Sequence, residues 1–423
     1  MLELGILADD LTGGMMVASL LEREGVRCPL VTSPEALGAL PDNAEAVVIG
    51  RKIRLIPAEE ARGDVTRSAK ALRAIDTKRV YYKYCATFDS TAEGNIGPIT
   101  EALMEALDTD RTIVCPAFPE YSVTIFQGRL FLGSTPLGES FKQYDPATPM
   151  TNSNLVEVMQ AQSQGKVGLV PRGTLVKGKA AASEAIEKQV QAGTGMFVID
   201  AIDDEDATRI AELVTDWPLS TGADAMPMFL ARTFHQEQSP EQRTLLPPSP
   251  GGEAVIAGSC APNTLAQTAY FEKQHSVYRI DLIEARGDTA VMSKIEQWAK
   301  ENLDKGPVAV ATSADVAGVE RAQAELGRDG AAALADELLG KSAKLLHDLG
   351  VRKFVVAGGE TSGQVFKSLD IKQVQVSAFD NLSGGYCHEA GATPTSLVTK
   401  AGALGDETFF FTALERMRQA DAA

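Results

Sequence analysis

The chain is poor in the residues that build metal centres and disulfide frameworks. Its 423 residues include five cysteines, four histidines and two tryptophans. The cysteines form no C-x-x-C pair and no two histidines stand at ligand spacing, so we expect neither a disulfide framework nor a Cys- or His-based metal site. Scattered thiols of this kind are typical of a cytoplasmic protein.

The chain also lacks basic charge and long hydrophobic runs. Its formal net charge is −17, with 40 Lys and Arg against 57 Asp and Glu. A nucleic-acid-binding protein needs a basic face for the phosphate backbone, so this class is not expected. No apolar run approaches the roughly 20 residues of a membrane span. The first ten residues, MLELGILADD, carry acid and no basic leader, which predicts neither a signal nor a transit peptide.

A chain of this length is too long for one compact core, so two domains are expected. The regular spacing of apolar residues is interrupted most clearly at SPEQRTLLPPSPGGE, where prolines and glycines cluster. We therefore predict an N-terminal domain of residues 1–240, a linker of residues 241–252 and a C-terminal domain of residues 253–423. Short apolar strands alternate with helical segments on both sides of this linker. The pattern predicts two α/β domains with mainly parallel sheets flanked by helices.

Two adjacent acids follow the first predicted strand. Leu2 to Ala8 forms an apolar run that leads into Asp9 and Asp10 and then into an apolar helix. Carboxylates at the carboxyl end of a strand lie where ligands bind in open parallel sheets. One of the two is expected to cap the helix. Because both cannot cap the same amides, the other is available as a base, a metal ligand or a substrate contact.

Basic residues follow or interrupt the next strands. Arg51, Lys52 and Arg54 come after the strand Ala46 to Ile49, where they either receive an acidic substrate or remain solvated. Lys83 lies in the strand VYYKYC. An ammonium group at an apolar strand position is costly unless it is paired, so we expect Lys83 to meet an anion.

The segment after Lys83 adds two polar candidates. Ser90 and Glu93 have the spacing of a capping box, which explains them without any function. Asp89 and Asn95 are left unexplained by the cap, and we predict that they contact substrate hydroxyl groups.

A glycine-rich turn near the end of the chain predicts a phosphate site. In KFVVAGGETSGQVFKSL a buried strand stops at Gly358 and Gly359, which let a ligand approach bare backbone, and Thr361 or Ser362 is expected to cap the following helix. Amides at a helix start, with the helix dipole behind them, bind phosphate. The alternative is an ordinary strand-to-helix connection. The glycine spacing does not fit the G-x-G-x-x-G pattern of nicotinamide-dependent dehydrogenases.

Three strand-to-helix corners, ADDLTGG, GSCAPNT and GGETSG, stand in one order along the chain. Together they resemble the four-carbon acid sugar kinase family, whose members have an N-terminal sugar-acid-binding domain and a C-terminal nucleotide-binding domain. The stretches KYCATFDSTAEGNIGP, CPAFPE, FQGRLFLG and TPMTNSNLV resemble the 3-oxo-tetronate kinase branch. Threonate and erythronate kinases carry a shorter K-x-D-S-T-L-R-G type segment at the Lys83 position.

The resemblance implies transfer of the ATP γ-phosphoryl group to the 4-hydroxyl of a four-carbon 3-oxo-tetronate, in a cleft between the domains. It implies that Mg²⁺ bridges the phosphates with Glu360 or Asp10 nearby, that Asp9 or Asp10 is the catalytic base, and that Lys83 or Arg51 anchors the substrate carboxylate. The residues that would face the sugar acid are Asp9, Asp10, Arg51, Lys83, Asp89 and Asn95. Those that would contact ATP are Ser259, Gly358, Gly359, Glu360, Thr361, Gly402 and Gly405.

Two other functions stay open at this point. One is a kinase of threonate or erythronate, and the other is a non-catalytic sugar-acid-binding protein gated by nucleotide. Substrate turnover discriminates between a kinase and a binding protein. The oligomeric state is open as well, with a homodimer as one candidate.

Overall fold

A computed structural model of the chain describes residues 2–145, 147–235, 243–312, 314–380 and 385–423. The chain divides into two compact units, Met1–Gln242 and Arg243–Ala423. Each unit surrounds a mainly parallel sheet with helices, which confirms the predicted α/β class. Among the described residues, no helix is both long and apolar enough to cross a membrane.

The strands of the first unit are, in chain order, β1 (Leu4–Ala8), β2 (Leu30–Val31), β3 (Ala46–Gly50), β4 (Val80–Lys83), β5 (Thr112–Cys115), β6 (Val123–Phe126), β7 (Arg129–Leu132), β8 (Thr135–Pro136), β9 (Lys166–Val170), β10 (Thr194–Ile199) and β11 (Leu219–Gly222). A parallel sheet runs in the order β2-β3-β1-β4-β11-β5-β10-β9. The remaining strands, β6, β7 and β8, form a separate antiparallel ribbon.

The helices of the first unit are α1 (Leu11–Arg23), α2 (Ala58–Ala74), α3 (Ile96–Ala106), α4 (Leu155–Gln162), α5 (Arg172–Leu175), α6 (Lys179–Gln191), α7 (Asp204–Val214) and α8 (Met226–Ala231). Several begin where a short polar side chain accepts a hydrogen bond from the first-turn amides. Asp10, Asn154 and Asp203 cap α1, α4 and α7 in this way. Short polar residues thus set the point at which strand-to-helix loops turn into helix.

The register of the sheet brings several strand ends to one level. Ala8 at the end of β1 pairs with Gly50 of β3 and with Lys83 of β4, and Lys83 pairs in turn with Gly222 of β11. The sequence predicted a longer strand that continued to Cys85. Because β4 ends at Lys83, this lysine lies at the carboxyl edge of the sheet, where ligands bind in parallel α/β folds.

The strands of the second unit are β12 (Gly252–Ala257), β13 (Ser276–Arg279), β14 (Val308–Ala311), β15 (Val351–Ala357), β16 (Gln373–Val376), β17 (Tyr386–Glu389) and β18 (Thr395–Lys400). They are ordered β13-β14-β12-β15-β18-β17-β16. The first five strands in this order, β13, β14, β12, β15 and β18, pair in parallel. The last two pair antiparallel, β17 with β18 and β16 with β17.

The helices of the second unit are α9 (Pro262–Glu272), α10 (Leu282–Ala285), α11 (Val291–Asn302), α12 (Val316–Leu326), α13 (Arg328–Asp348), α14 (Gly359–Ser368) and α15 (Phe409–Ala422). On one face of the sheet, Val255 and Ala257 of β12 share a core with Phe271 of α9 and Phe410 of α15. Side chains alternate along a strand, so the residues between them face the opposite layer. The helix α13, which packs against α14 and along β12, β14 and β15, belongs to that layer.

The predicted linker, residues 241–252, is not an independent connection in its described part. Its first two residues lie outside the described part of the chain. Leu246 is buried in the core of the second unit. The backbone carbonyl of Ser249 accepts a hydrogen bond of 3.0 Å from the buried Lys353 Nζ. Residues 243–251 therefore belong to the second unit. Clustered prolines interrupt the spacing of apolar residues in a packed irregular segment as well as in an unpacked linker. The sequence pattern alone therefore could not distinguish the two and indicated a linker.

Candidate active site

A cluster of opposite charges lies at the carboxyl ends of neighbouring strands in the first unit. The charge cluster comprises Asp9 after β1, Asp10, Arg54 in the loop after β3, Lys83 at the end of β4 and Asp224 after β11. The Lys83 side chain is almost fully buried, at 3% exposed. Its Nζ lies 3.7 Å from Asp9 Oδ1, 3.8 Å from Asp10 Oδ2 and 3.5 Å from Asp224 Oδ1. Lys83 does meet anions, and these anions are the protein's own carboxylates.

Arg54 binds both acids that follow β1. Its Nε donates to Asp9 Oδ2 at 2.6 Å and its Nη2 donates to Asp9 Oδ1 at 2.9 Å, which makes a bidentate pair. The same Nη2 also donates to the Asp10 carboxylate. Sequence reasoning grouped Arg54 with the basic residues after β3 without selecting it. The contacts show that Arg54 reaches both acids.

Arg51 makes other contacts. Its Nε donates to Asp64 Oδ1 at 2.8 Å, its Nη2 donates to Asp64 Oδ2 at 2.5 Å, and its Nη1 donates to the Thr32 carbonyl at 2.7 Å. Asp64 lies on α2, so the guanidinium is turned towards that helix. The structure does not bring Arg51 into the charge cluster, and its predicted part in anchoring the substrate stays a prediction.

Asp10 is the acid that caps α1. Its Oδ1 accepts a hydrogen bond of 2.5 Å from the Gly13 amide, and α1 starts directly after it at Leu11. Burial alone would raise the pKa of Asp10, but the charges of Arg54 and Lys83 and the Gly13 amide outweigh it and lower the pKa to about 2. A carboxylate that is this weakly basic and already bound by an amide is a poor proton acceptor.

Asp224 is the member that sequence reasoning missed. Burial raises its pKa from the ordinary 3.8, Lys83 opposes the rise, and the charges of Asp10 and Asp9 add to it. The net shift is upward, opposite to that of Asp10. The strand before it, LSTG, is short and half polar, so no hydrophobic pattern marks it. A polar strand flanked by a glycine and an acid, STGAD, is the signal that could have found it.

Asp89 and Asn95 lie close to protein partners of their own. Lys142 Nζ forms an ion pair of 2.7 Å with Asp89 Oδ1, and Thr87 Oγ1 donates to the same oxygen at 2.7 Å. Lys142 was not selected from the sequence. The Asn95 Nδ2 donates at 2.7 Å to the carbonyl of Ile53, next to Arg54. This bond ties Asn95 to the loop that carries Arg54, and the predicted contacts of Asp89 and Asn95 with substrate hydroxyl groups stay predictions.

In the second unit, the ends of β12, β15 and β18 meet at what we call the glycine corner: Gly258, Ser259, Gly358 to Thr361, and Gly402. A Cβ atom on Gly402 would lie 2.1 Å from Ser259 Oγ, and one on Gly258 would lie 2.2 Å from Thr361 Oγ1. Gly358 has a φ of +130°, which residues with side chains rarely adopt. These contacts bring together Ser259, Thr361 and Gly402, which were predicted from distant parts of the chain.

The start of α14 differs from the predicted capping. The helix begins at Gly359, so Thr361 and Ser362 lie inside its first turn, and Ser362 Oγ donates back to the Gly358 carbonyl at 2.8 Å. No side chain caps this helix, although Glu360 stands exposed in its first turn. An uncapped helix start beside a glycine with positive φ is suited to phosphate oxygens.

Lys400, at the end of β18, is a buried lysine beside the glycine corner. Its Nζ donates to Thr264 Oγ1 at 2.9 Å and to the Gly402 carbonyl at 3.0 Å. Burial lowers the pKa of Lys400 to about 8, and no carboxylate charge opposes this shift. Gly405, with a φ of +79°, lies further along the same loop, and its carbonyl accepts a bond of 2.9 Å from Asn263 Nδ2. Lys400 and Asn263 thus fix the loop that carries Gly402 and Gly405.

The described part of the chain contains no cluster of protein ligands for a metal ion. No group of three or more His, Cys, Asp or Glu side chains there is arranged to hold an ion. The carboxylates of the charge cluster lie instead against Arg54 and Lys83.

Each unit matches the model of a known domain family. Residues 4–230 match the model of a sugar-binding N-terminal domain, and residues 254–410 match the model of a nucleotide-binding C-terminal domain. The fold and the two domain matches therefore define a protein with a sugar-binding unit followed by a nucleotide-binding unit.

Similarity to whole proteins is equally extensive. A 3-oxo-tetronate kinase of Pseudomonas fluorescens is 38% identical over 98% of this chain and 97% of its own length. A 3-oxo-tetronate kinase of Salmonella typhimurium is 35% identical over 98% of this chain and 99% of its own. The chain belongs to the four-carbon acid sugar kinase family, in its 3-oxo-tetronate kinase branch.

Solved structures agree with this fold. A Salmonella typhimurium protein, provisionally named a tRNA synthase, is 35% identical and superposes with a TM-score of 0.84 over 98% of this chain and 99% of its own. A Haemophilus influenzae protein is 31% identical, with a TM-score of 0.78 over 98% of this chain and 100% of its own.

The lowered pKa of Lys400 predicts how stability depends on pH. Between pH 8 and 10.5 the unfolded chain keeps this proton while the folded chain has lost it, so the free energy of unfolding rises with pH across that window. Relative to Lys400→Met, we expect the wild-type protein to gain on the order of 3 kcal/mol across the full window. Denaturant unfolding at pH 7 and at pH 9.5 measures most of this difference.

The matched control is Lys367→Met, which removes an exposed lysine from α14. Its difference from the wild-type protein is expected to stay constant with pH. A Lys400→Met difference that is equally constant would show that Lys400 stays charged in the folded protein.

Proposed function

We propose that the chain is a cytoplasmic, ATP-dependent kinase that phosphorylates the 4-hydroxyl of a four-carbon 3-oxo-tetronate. The observation that carries the proposal is similarity over nearly the whole chain, at 33 to 38% identity, to proteins named 3-oxo-tetronate kinase. Two features of the units support it. The charge cluster offers carboxylates to hydroxyl groups, and the glycine corner offers a helix start to phosphate. The net charge of −17 fits a small-molecule enzyme better than a protein that acts on tRNA.

The charge cluster suits the hydroxyl end of the substrate. With all groups ionised it holds three carboxylates and two cations, so its formal charge is −1. Such a group repels a substrate carboxylate but accepts hydrogen bonds from hydroxyl groups. We therefore assign the acceptor hydroxyl, rather than the substrate carboxylate, to this cluster. This replaces the expectation that Lys83 anchors the carboxylate, because the contacts of Lys83 are already three acids.

Asp224 is the best base among the three acids. A general base has to accept a proton near neutral pH, and the pKa of Asp224 is raised whereas that of Asp10 is about 2. Asp9 is held at both oxygens by Arg54. Asp9 and Asp10 keep the roles of orienting Arg54 and Lys83. The proton of the attacking hydroxyl group would then pass to Asp224 as the hydroxyl oxygen bonds to the γ-phosphorus. The bond between the γ-phosphorus and the oxygen that leaves with ADP breaks in the same step.

The second unit would hold the phosphates. Phosphoryl transfer needs the protein mainly for positioning and for neutralising charge, and a helix start with its dipole supplies both. Gly358 and Gly359 let phosphate oxygens approach the α14 backbone, while Ser259 and Gly402 form the opposite side of the corner.

Mg²⁺ fits this arrangement as a partner of the nucleotide. The ion usually keeps several waters and binds through phosphates with one or two carboxylates. The described residues contain no cluster of three ligands, which suits an ion brought by ATP, and the exposed Glu360 in the first turn of α14 is the carboxylate placed to touch it. When bound, Mg²⁺ would neutralise charge on the phosphate oxygens.

An acceptor panel tests the proposed reaction. Purified protein with ATP and Mg²⁺ is given 3-oxo-tetronates, threonate and erythronate in turn, and ADP release is followed. We expect acceptor-dependent ADP, with the highest kcat/KM for a 3-oxo-tetronate and loss of turnover with excess EDTA. Absence of acceptor-dependent ADP with every acid would contradict the kinase, and a preference for threonate would contradict the branch.

The choice of base is tested by comparing Asp9→Asn, Asp10→Asn and Asp224→Asn. Asn keeps the shape at each position, and at position 10 it also keeps a helix cap. We expect Asp224→Asn to lower kcat by about 10²-fold or more. It should also remove the fall in kcat/KM that the wild-type enzyme shows as the pH drops through the raised pKa of Asp224. If Asp224→Asn kept both kcat and this acid limb, the base would have to be Asp9.

The position of Lys83 is tested through a glycine. A Cβ atom on Gly13 would lie 1.7 Å from Lys83 Nζ, so Gly13→Ala has to displace the ammonium group. Because the obstructing atom ends a flexible side chain, the fold is expected to persist in circular dichroism spectra. We expect kcat/KM for the acid to fall at least about tenfold, since small misplacements at a site are costly.

Gly63→Ala is the matched control. Gly63 lies exposed in the middle of α2, and a Cβ atom there would meet nothing within 4 Å. This variant should be fully active and about 0.5–1 kcal/mol more stable. If Gly13→Ala were as active as this control, the observed position of Lys83 would not matter for turnover.

A further inference from the structure

The loop that follows β4 contains two consecutive residues in the left-handed region of the backbone. Phe88 has a φ of +66° and Asp89 has a φ of +39°. Residues with side chains rarely adopt such angles, and they keep them only where the surrounding structure holds them there. Strained residues of this kind concentrate at functional sites. We call residues 85–89 the strained loop, and the reaction proposed above assigns no part to it.

The side chain of Phe88 holds one end of the strained loop. It is 1% exposed, and its ring packs edge-on against the ring of Tyr84, with 5.5 Å between the ring centroids. Tyr84 packs in the same way against Tyr82 of β4 at 5.3 Å. Burial of the Phe88 ring thus anchors the loop to the strand that carries Lys83.

Asp89 is held by an ion pair from another part of the chain. Lys142 Nζ lies 2.7 Å from Asp89 Oδ1, and the two side chains are 11% and 13% exposed. Burial alone would raise the pKa of Asp89, but the hydrogen bond and the charge of Lys142 outweigh it and lower the pKa. Loss of Lys142 would therefore remove a cation that the half-buried carboxylate depends on.

Lys142 belongs to a short 3-10 helix, Phe141–Tyr144, that follows the antiparallel ribbon. The two aromatic side chains of this helix project into solvent, with Phe141 74% and Tyr144 79% exposed, whereas Lys142 is its buried member. This is the reverse of the usual arrangement, because lysine is rarely buried unless it is paired. The pair with Asp89 therefore links this segment to the strained loop.

The strained loop lies beside the charge cluster. Cys85 Sγ is 3.0 Å from Thr87 Oγ1, which donates to Asp89 Oδ1. Burial raises the pKa of the Cys85 thiol to about 12, and the charge of Asp89 adds to this rise. The charges of Arg54 and Lys83 oppose it, so the loop is within electrostatic range of both cations. A sugar acid with its hydroxyl group at the charge cluster would have this loop as a neighbour.

We propose that Lys142 is a positioning residue for the acceptor, because its ion pair with Asp89 holds the strained loop in the conformation that binds the sugar acid. The proposal rests on the proposed function and adds the residue that sets the affinity for the acceptor. Without Lys142 the loop would leave its left-handed conformation for part of the time, and apparent affinity falls with the fraction of protein that is competent to bind. The ion pairs of Lys142 are with Asp89 and Asp145 rather than with the charge cluster, so the chemical step should persist.

Lys142→Met tests this role, with Lys70→Met as the matched control, since Lys70 is an exposed lysine of α2. ADP release is measured against the concentration of the 3-oxo-tetronate, and calorimetric titration measures the dissociation constant of the acid. We expect Lys142→Met to raise both KM for the acid and this constant at least about tenfold and to change kcat less than about twofold, the pattern of lost binding competence. Lys70→Met should match the wild-type protein. An unchanged affinity for the acid, or a loss confined to kcat, would overturn the proposal.

A double-mutant cycle separates positioning from direct contact with the acid. Asp89→Asn keeps the shape and tolerates a positive φ, but it removes the charge with which Lys142 pairs. If Lys142 acts through Asp89, adding Lys142→Met to Asp89→Asn should raise KM less than about twofold further, because the pair is already broken. Independent increases that multiply would show that Lys142 contacts the acid itself and would overturn the positioning role. Lys142→Gln, with the same expectations, replaces Lys142→Met if the latter does not fold.

Hydrogen exchange of the protein without ligands separates failure of this proposal from failure of the proposed function. The amides of Phe88 and Asp89 are hydrogen-bonded to carbonyl groups within the strained loop. We expect peptides that cover this loop to exchange at least about tenfold faster in Lys142→Met than in Lys70→Met, because a loosened loop opens more often. Equal exchange would contradict the role of Lys142, whether or not the protein is a kinase. Wild-type protein that binds the acid without turnover would contradict the kinase alone, and the dissociation constants would still decide the role of Lys142.

Discussion

A buried ammonium group organises the first unit. Lys83 ends β4 at 3% exposure, and a charge at that depth is tolerated only if anions surround it. The flanking strands supply them, since Asp9 follows β1 and Asp224 follows β11, the two neighbours of β4 in the sheet. The same constraint requires Gly13, because any side chain there would occupy the position of the ammonium group. Strand order, helix start and charge cluster thus depend on one another.

The second unit meets a steric constraint at the equivalent edge of its sheet. The ends of β12, β15 and β18 approach so closely that Gly258 and Gly402 have no room for a Cβ atom beside Thr361 and Ser259. Close packing of these loops leaves backbone rather than side chains at the start of α14. In the proposed reaction the two units would serve different steps of phosphoryl transfer. The charge cluster would deprotonate the acceptor, and the backbone amides at the start of α14 would neutralise phosphate charge.

The fold class and part of each candidate site could be predicted from the sequence. Asp9 was found because an acid after an apolar strand is visible locally, and Lys83 because a lysine at an apolar strand position is equally visible. Asp224 was missed because it becomes a neighbour of Lys83 only when β11 inserts between β4 and β5, a pairing of strands far apart in the chain. The orientations of Arg51 and Arg54 were equally hidden, since one turns to α2 and the other to Asp9 through contacts that no local pattern encodes.

If Asp224 is the base, as we propose, its protonation links the charge of the cluster to the reaction. Before transfer the cluster has a formal charge of −1, and Asp9 and Asp10 already raise the pKa of Asp224. In the proposed reaction the hydroxyl proton would move to Asp224, and the cluster would become neutral at the moment when the acceptor oxygen gains a phosphoryl group and its negative charge. Burial first, and then the charges of Asp10 and Asp9, raise the pKa of Asp224 and make it a stronger base before transfer. Protonation of Asp224 would remove one negative charge as the phosphoryl group arrives. Three acids against the two cations Arg54 and Lys83 leave this excess negative charge, whereas a cluster of two acids and two cations would not.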